Sequence, residues 1–214
     1  MGTPSSSPSQ SFSSSASGSP STSTSASATP SASPSVERDE EQVVTLAEAK
    51  AMLHVSGTDH DARIDALIDA ATSRAQNYQV RKYITQTCVS YFDAWPLVIR
   101  PRWSPLVQVT SIQYIDGGGV LQTLAADRYD VDTDREPGRV VPAYNCSWPS
   151  IRGDMNGIIV TYTAGYGSDA DDVPPEFRHA ILLMVYDWFF NPDREGDLPR
   201  SAQALLGFER MGGV

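Results

Sequence analysis

Two short runs of carboxylates are the residues of this chain best placed by type and spacing to do chemistry. In DVDTDREPG, Asp130–Gly138, acids stand at alternate positions, as they do at the start of a calcium loop. The rest of that pattern fails. Arg135 stands where the loop needs glycine, and Val141 where it needs a bidentate glutamate. In GSDADDVP, Gly167–Pro174, Asp169, Asp171 and Asp172 follow directly on AGYG, Ala164–Gly167. Four residues are too few for a phosphate cradle, and the acids behind them would repel a phosphate. AGYG reads as a tight exit from a strand and both acidic runs as solvated turns, with a cation at the second as the alternative.

The other chemical groups are scattered. His54, His60 and His179 each fall on an expected helix or its cap, where a lone histidine is a surface or packing residue. Cys88 and Cys146 lie far apart in unrelated contexts and read as two reduced thiols. Gly-x-Ser-x-Gly, P-loop, His-Glu-x-x-His and Cys-x-x-Cys motifs are all missing. A hydrolase or metal enzyme built on Asp130–Asp134 or Asp169–Asp172 would lack a nucleophile or histidine cluster beside its acids. The expectation is no catalytic residue, no cofactor, no metal and no enzyme.

The elements that carry these residues are easier to read. TLAE, Thr45–Glu48, has the form of a capping box and predicts a short helix through about His54, with Leu46, Ala49 and Leu53 inward. Thr58 or Asp59 can cap a second helix, in which Ile64, Leu67, Ile68, Ala71, Ala75 and Tyr78 recur at helical spacing. From Thr85 the period changes to two. TQTCVSYFDAW, LVIRP, LVQVTSIQYID, VLQTL, RYDVD, GRVVP and GIIVTYTAGY are short, β-branched or aromatic, and separated by turn residues. Asp116–Gly119, DGGG, reads as a hairpin turn. Pro174-Pro175 opens a third helix that stops at Asn191-Pro192, and a short helix follows near the C-terminus. Segregated helices and strands predict an α+β fold: a small helical domain of two N-terminal helices, one long and one short C-terminal helix, with a β-rich insertion of six or seven strands over about 85–166.

Composition sets the frame. The chain has 214 residues, and the segment through Val36 is roughly half serine and carries no charge. Too little apolar surface is present there to offset the entropy of ordering, so a flexible tail is expected. Residues 1–42 are therefore assigned to a Ser/Pro-rich tail and acidic lead-in, and 43–214 to one domain with a real core. The net charge of −10 falls entirely outside the uncharged tail. An acidic domain is poorly suited to gripping a phosphate backbone, although it could surround DNA without holding it. The N-terminus does not have the form of a secretory signal.

HAILLMVYDWFFNP, residues 179–192, is apolar nearly all the way round. At about eleven apolar residues it is too short to span a bilayer, which takes about twenty, so no membrane role is expected. Phe177, Ile181, Met184, Val185 and Trp188 can face the first two helices, leaving Leu182, Tyr186, Phe189 and Phe190 on other faces. Those four either form a partner surface or are covered by the β-region within one subunit.

Taken in order, TLAEAKAMLHV, DHDARIDALIDAATSRAQNYQVRKYITQT, RPRWSPLVQVTSIQYIDGGGVLQTLAADRYDVD, VTYTAGYG with VPPEFRHAILLMVYDWFFNPD, and LPRSAQALLGFERM resemble the head–tail connector, or adaptor, family of tailed bacteriophages and gene transfer agents. The resemblance covers about residues 43–210, and the Ser/Pro tail is not part of it. It implies a non-enzymatic structural protein of the virion neck, present in the host cytoplasm during assembly. Its partners would be the portal protein, the next neck or tail protein, and further copies of itself in a ring, typically a dodecamer. DNA would pass through that ring without specific binding. Another virion structural role, in tail completion or on the capsid, is the alternative. By the same likeness about 198–214 is the portal-contacting segment, with Leu205, Leu206 and Phe208 as anchors and Arg200 and Arg210 at the rim. Packing of that segment on its own domain is the competing reading. Leu182, Tyr186, Phe189 and Phe190 become the subunit-interface candidates.

Overall fold

A computed structural model of the chain describes residues 42–207. The expected tail and most of the acidic lead-in lie outside the described residues, as do Phe208 and Arg210. The chain divides into Met1–Glu37, also outside them, and Arg38–Val214, which contains every element below.

Helix α1, Leu46–Leu53, starts at the capping box the sequence predicts. The Glu48 N–H donates to Thr45 Oγ1 at 3.2 Å, and the Thr45 N–H donates to Glu48 Oε2 at 2.8 Å. Helix α2, Asp61–Gln79, buries Ile64, Leu67, Ile68, Ala71 and Ala75 as their spacing requires, while Tyr78 is only half-buried. Its start differs from expectation. His60 holds the N-cap position without a side-chain cap bond, and neither Thr58 nor Asp59 caps the helix. Instead Lys50 Nζ reaches from α1 to Asp61 Oδ1 at 2.6 Å, closing the connection between the helices. Helix α3, Pro175–Phe190, and helix α4, Arg200–Gly207, complete the helical half. One cluster of buried side chains is shared by all four helices.

The β-region has six strands: β1 Gln86–Phe92, β2 Leu106–Ile115, β3 Leu121–Thr123, β4 Tyr129–Asp132, β5 Arg139–Pro142 and β6 Ile158–Ala164. They form an antiparallel sheet in the order β1-β6-β2-β3 and a separate β4-β5 hairpin. The expected hairpin turn at 116–119 is present: the Asp116 N–H donates to the Val120 carbonyl at 2.9 Å. LVIRP does not become a strand. Ile99 makes an isolated bridge to Val140, exchanging bonds at 2.9 and 2.8 Å, and is otherwise a core plug. A second buried cluster, including Ile112, Val140, Val160 and Tyr162, fills the space between the sheet and this layer. The β-region therefore has its own core instead of covering α3.

The fold is α+β, as the segregated pattern predicts. Its two cores share no residue, and a polar joint connects them. Arg81, almost wholly buried, donates Nη1 to the Tyr166 hydroxyl at 2.6 Å and pairs through Nη2 with Glu136. Beside it the Lys82 N–H donates to the Ser104 carbonyl at 2.8 Å.

Candidate assembly surfaces

The inner stripe of α3 is as expected: Phe177, Ile181, Met184, Val185 and Trp188 are buried, together with Ala180. Tyr83 stacks on Phe177 with ring centroids 5.4 Å apart, and the Trp188 indole N–H donates to the Asp197 carbonyl at 2.9 Å. The four candidates on the other faces separate. Leu182 is half-buried against the helical core. Phe189 is pinned by the start of α2: Arg63 lies 5.0 Å from its ring centroid, His60 meets it edge-on at 5.7 Å, and Arg63 Nη2 donates to its carbonyl at 3.2 Å. Phe190 packs on Phe189 at 5.3 Å and on Tyr186 at 4.9 Å. Tyr186 and Phe190 remain 44% and 53% exposed, an aromatic pair held from beneath with an open outer surface.

Helix α4 packs on its own subunit, mainly against α3 and α2. The inward face is Ala202 and Leu206, with Leu198 and Leu205 partly buried beside them; Ala204 is exposed. Leu206 is fully buried, and its carbonyl accepts from the buried Gln79 side chain at 3.0 Å, so in this conformation it cannot be an exposed anchor. Leu205 is half-buried and Arg200 exposed.

A second surface was not singled out by sequence. On the sheet, side chains of β1 alternate between the core and the outer face. On that outer face Tyr91 lies opposite Ile159, Val89 opposite Thr161 and Thr87 opposite Thr163. Across β6 these continue to Gln113, Ser111 and Gln108 of β2, and from there to Thr123 and Leu121 of β3, the latter opposite Ile115. None of these twelve residues is charged. Tyr91, Val89 and Leu121 are 57%, 43% and 51% exposed. TQTCVSYF and GIIVTYTA carry no charge on either face, so periodicity alone does not say which face is buried.

The acidic runs are engaged locally. Asp132 accepts from Arg139 Nε at 2.8 Å, and this pairing outweighs the cost of burial and holds its carboxyl below the usual range. Asp172 accepts from the Asp169 N–H at 3.2 Å. Arg178 bridges Asp171 at 2.9 Å and Glu48 at 2.6 Å. For Glu48, burial pushes the carboxyl up, but the Thr45 bonds and the Arg178 charge prevail and lower it. Gly165, at φ +147°, passes so close to Thr85 that an added Cβ would lie 2.4 Å from the Thr85 Cα. AGYG is a strand exit threaded against the start of β1. Cys88 and Cys146 are free thiols, the first buried. A groove of about 850 Å³, lined by residues including Thr72, Gln76, Lys82 and Trp103, runs beside α2, with Lys82 Nζ over the Trp103 ring at 4.5 Å. Among the described residues no helix is long and apolar enough to cross a membrane.

Residues 43–97 match the family of phage gp6-like head-tail connector proteins. The matched segment spans α1, α2 and β1, and over that part of the chain it bears out the resemblance read from the sequence. A chain described as "Neck of empty GTA particle computed with C6 symmetry" has the same fold, with a TM-score of 0.65 and 20% identity over 79% of this chain and 90% of that one. A chain from "Virion of native gene transfer agent (GTA) particle" gives 0.63, 20%, 79% and 90% for the same quantities. One from "Neck of native GTA particle computed with C12 symmetry" gives 0.56 and 17%, covering 75% of this chain and 94% of that chain. No curated protein matches. The shared fold thus covers about three quarters or more of the chain, well beyond the matched segment.

Proposed function

We propose that this chain is a non-enzymatic head–tail adaptor of a phage or gene-transfer-agent particle. Copies form a ring below the portal, extend the DNA channel and receive the next neck or tail protein. The observation that carries this reading is the connector match over residues 43–97, joined to a fold shared with gene-transfer-agent neck chains over most of the molecule. A net charge of −10 suits a channel through which DNA moves without adhering. Portal contact is assigned to the end of the chain, through Arg200, the open side of Leu205, and Phe208 and Arg210 beyond the described helix. Leu206 serves instead to hold α4 to its subunit.

Electron microscopy of particles carrying a tagged chain tests this. The expected result is density at the unique vertex, between portal and tail. Density elsewhere in the particle would refute the assignment. Loss of the protein should leave filled heads without tails.

A further inference from the structure

Copies of this chain each carry a net charge of −10, so they repel unless the surfaces that meet are free of carboxylates or carry compensating cations. At the chain's own 20% of charged residues, about two charges would fall among the twelve positions of the outer sheet face. It has none. Its middle row, Val89, Thr161 and Ser111, is built from small side chains, bordered by the larger Tyr91 and Ile159 of the adjacent row. On the helical half, Tyr186 and Phe190 form a projecting aromatic pair without charge of its own. Phe189, fixed by Arg63 and His60, supports it from below. A pair already ordered in the free subunit loses little entropy on docking.

We infer that the outer face of the β1-β6-β2-β3 sheet of one copy receives the Tyr186–Phe190 pair of the next copy. This rests on the ring reading above and gives that ring its contact. Two different uncharged patches on one chain are what a head-to-tail contact requires, since every copy must offer one patch forward and the other back. A two-fold dimer would need only one self-complementary patch.

The test uses two full-length variants, Val89→Glu/Tyr91→Glu on the sheet and Tyr186→Glu/Phe190→Glu on α3, with sedimentation velocity as the readout. Unchanged far-ultraviolet circular dichroism establishes that each is folded. If one is not, the corresponding double serine variant replaces it, with about a tenfold rise in the concentration needed for association expected. The wild-type chain should assemble beyond a dimer, and each variant alone should stay monomeric. An equimolar mixture should stop at the dimer, because one intact sheet face and one intact aromatic pair remain. Wild-type-sized assemblies from either variant, or a monomeric mixture, overturn the contact. A wild-type chain that stays monomeric also overturns it, yet leaves the neck location to be judged by microscopy.

Discussion

The side-chain amide of Gln79, the last residue of α2, donates to the carbonyl of Leu206 in α4 at 3.0 Å, and both residues are fully buried. Gln79 also accepts from the Tyr83 hydroxyl at 2.6 Å. This chain of bonds makes α4 part of the core, although an eight-residue helix is not stable alone in water.

Leu206→Ala should therefore destabilise the folded domain by about 2–5 kcal/mol. Arg200→Ala, on the exposed face, should change stability by less than about 0.5 kcal/mol. Urea unfolding of both variants checks this. A wild-type midpoint for Leu206→Ala would show that α4 contributes nothing to the core. Removing everything after Pro199 should likewise broaden or abolish the transition, because Gln79 would lose its acceptor.

Tyr83→Phe removes one hydroxyl and leaves Gln79 Oε1 without its donor in a dry site. The expected cost is about 1–3 kcal/mol, with little change in fold. Burial holds the Tyr83 hydroxyl well above the usual tyrosine range, so this bond should persist through alkaline titration of exposed tyrosines. Absorbance titration with denaturation curves at matched pH would measure both effects.

Glu48 has a lowered carboxyl pKa in the folded chain, so its ionised form stabilises the fold at neutral pH. That contribution disappears as pH falls through the folded value. Glu48→Gln should be less stable than wild type at neutral pH, and the two should converge in acid. Thermal midpoints across the acidic range test the sign; a gap that widens on acidification would contradict it.

Gly165→Ala would drive a Cβ to within 2.5 Å of the Thr85 nitrogen, a backbone atom that cannot step aside. A loss of about 1–3 kcal/mol or more is expected. Gly117→Ala, with open space around it, is the control and should stay close to wild type. The difference between the two midpoints reports the clash together with the strained φ of Gly165, which Gly117 does not share.

Much of the fold is visible in the chain itself, because one face of α2 and one face of α3 each repeat at helical spacing. Four features escape that kind of reading. The start of α2 carries no side-chain cap, and Lys50 of α1 bonds Asp61 there instead. LVIR looks like a strand, but only Ile99 finds a partner. The inner face of α4 is fixed by what α3 and Gln79 present, which buries Ala202 and Leu206. Strand β6 lies between β1 and β2 although it follows both by many residues, so the outer face becomes defined only after distant pairing. Among the interface candidates, sequence singled out Tyr186 and Phe190 as apolar but could not know that Arg63 and His60 would fix Phe189 beneath them.

The two separate cores have a mechanical consequence. Each is a stiff body of apolar packing, whereas at the seam between them the packing of Tyr166 on Phe177 is joined by directional bonds around Arg81, Tyr166, Glu136 and Ser104. Packed side chains resist bending over their whole contact, but bonds of this kind can be exchanged singly with water. A sideways load on the molecule would therefore be taken up at that seam first, with both lobes keeping their internal form.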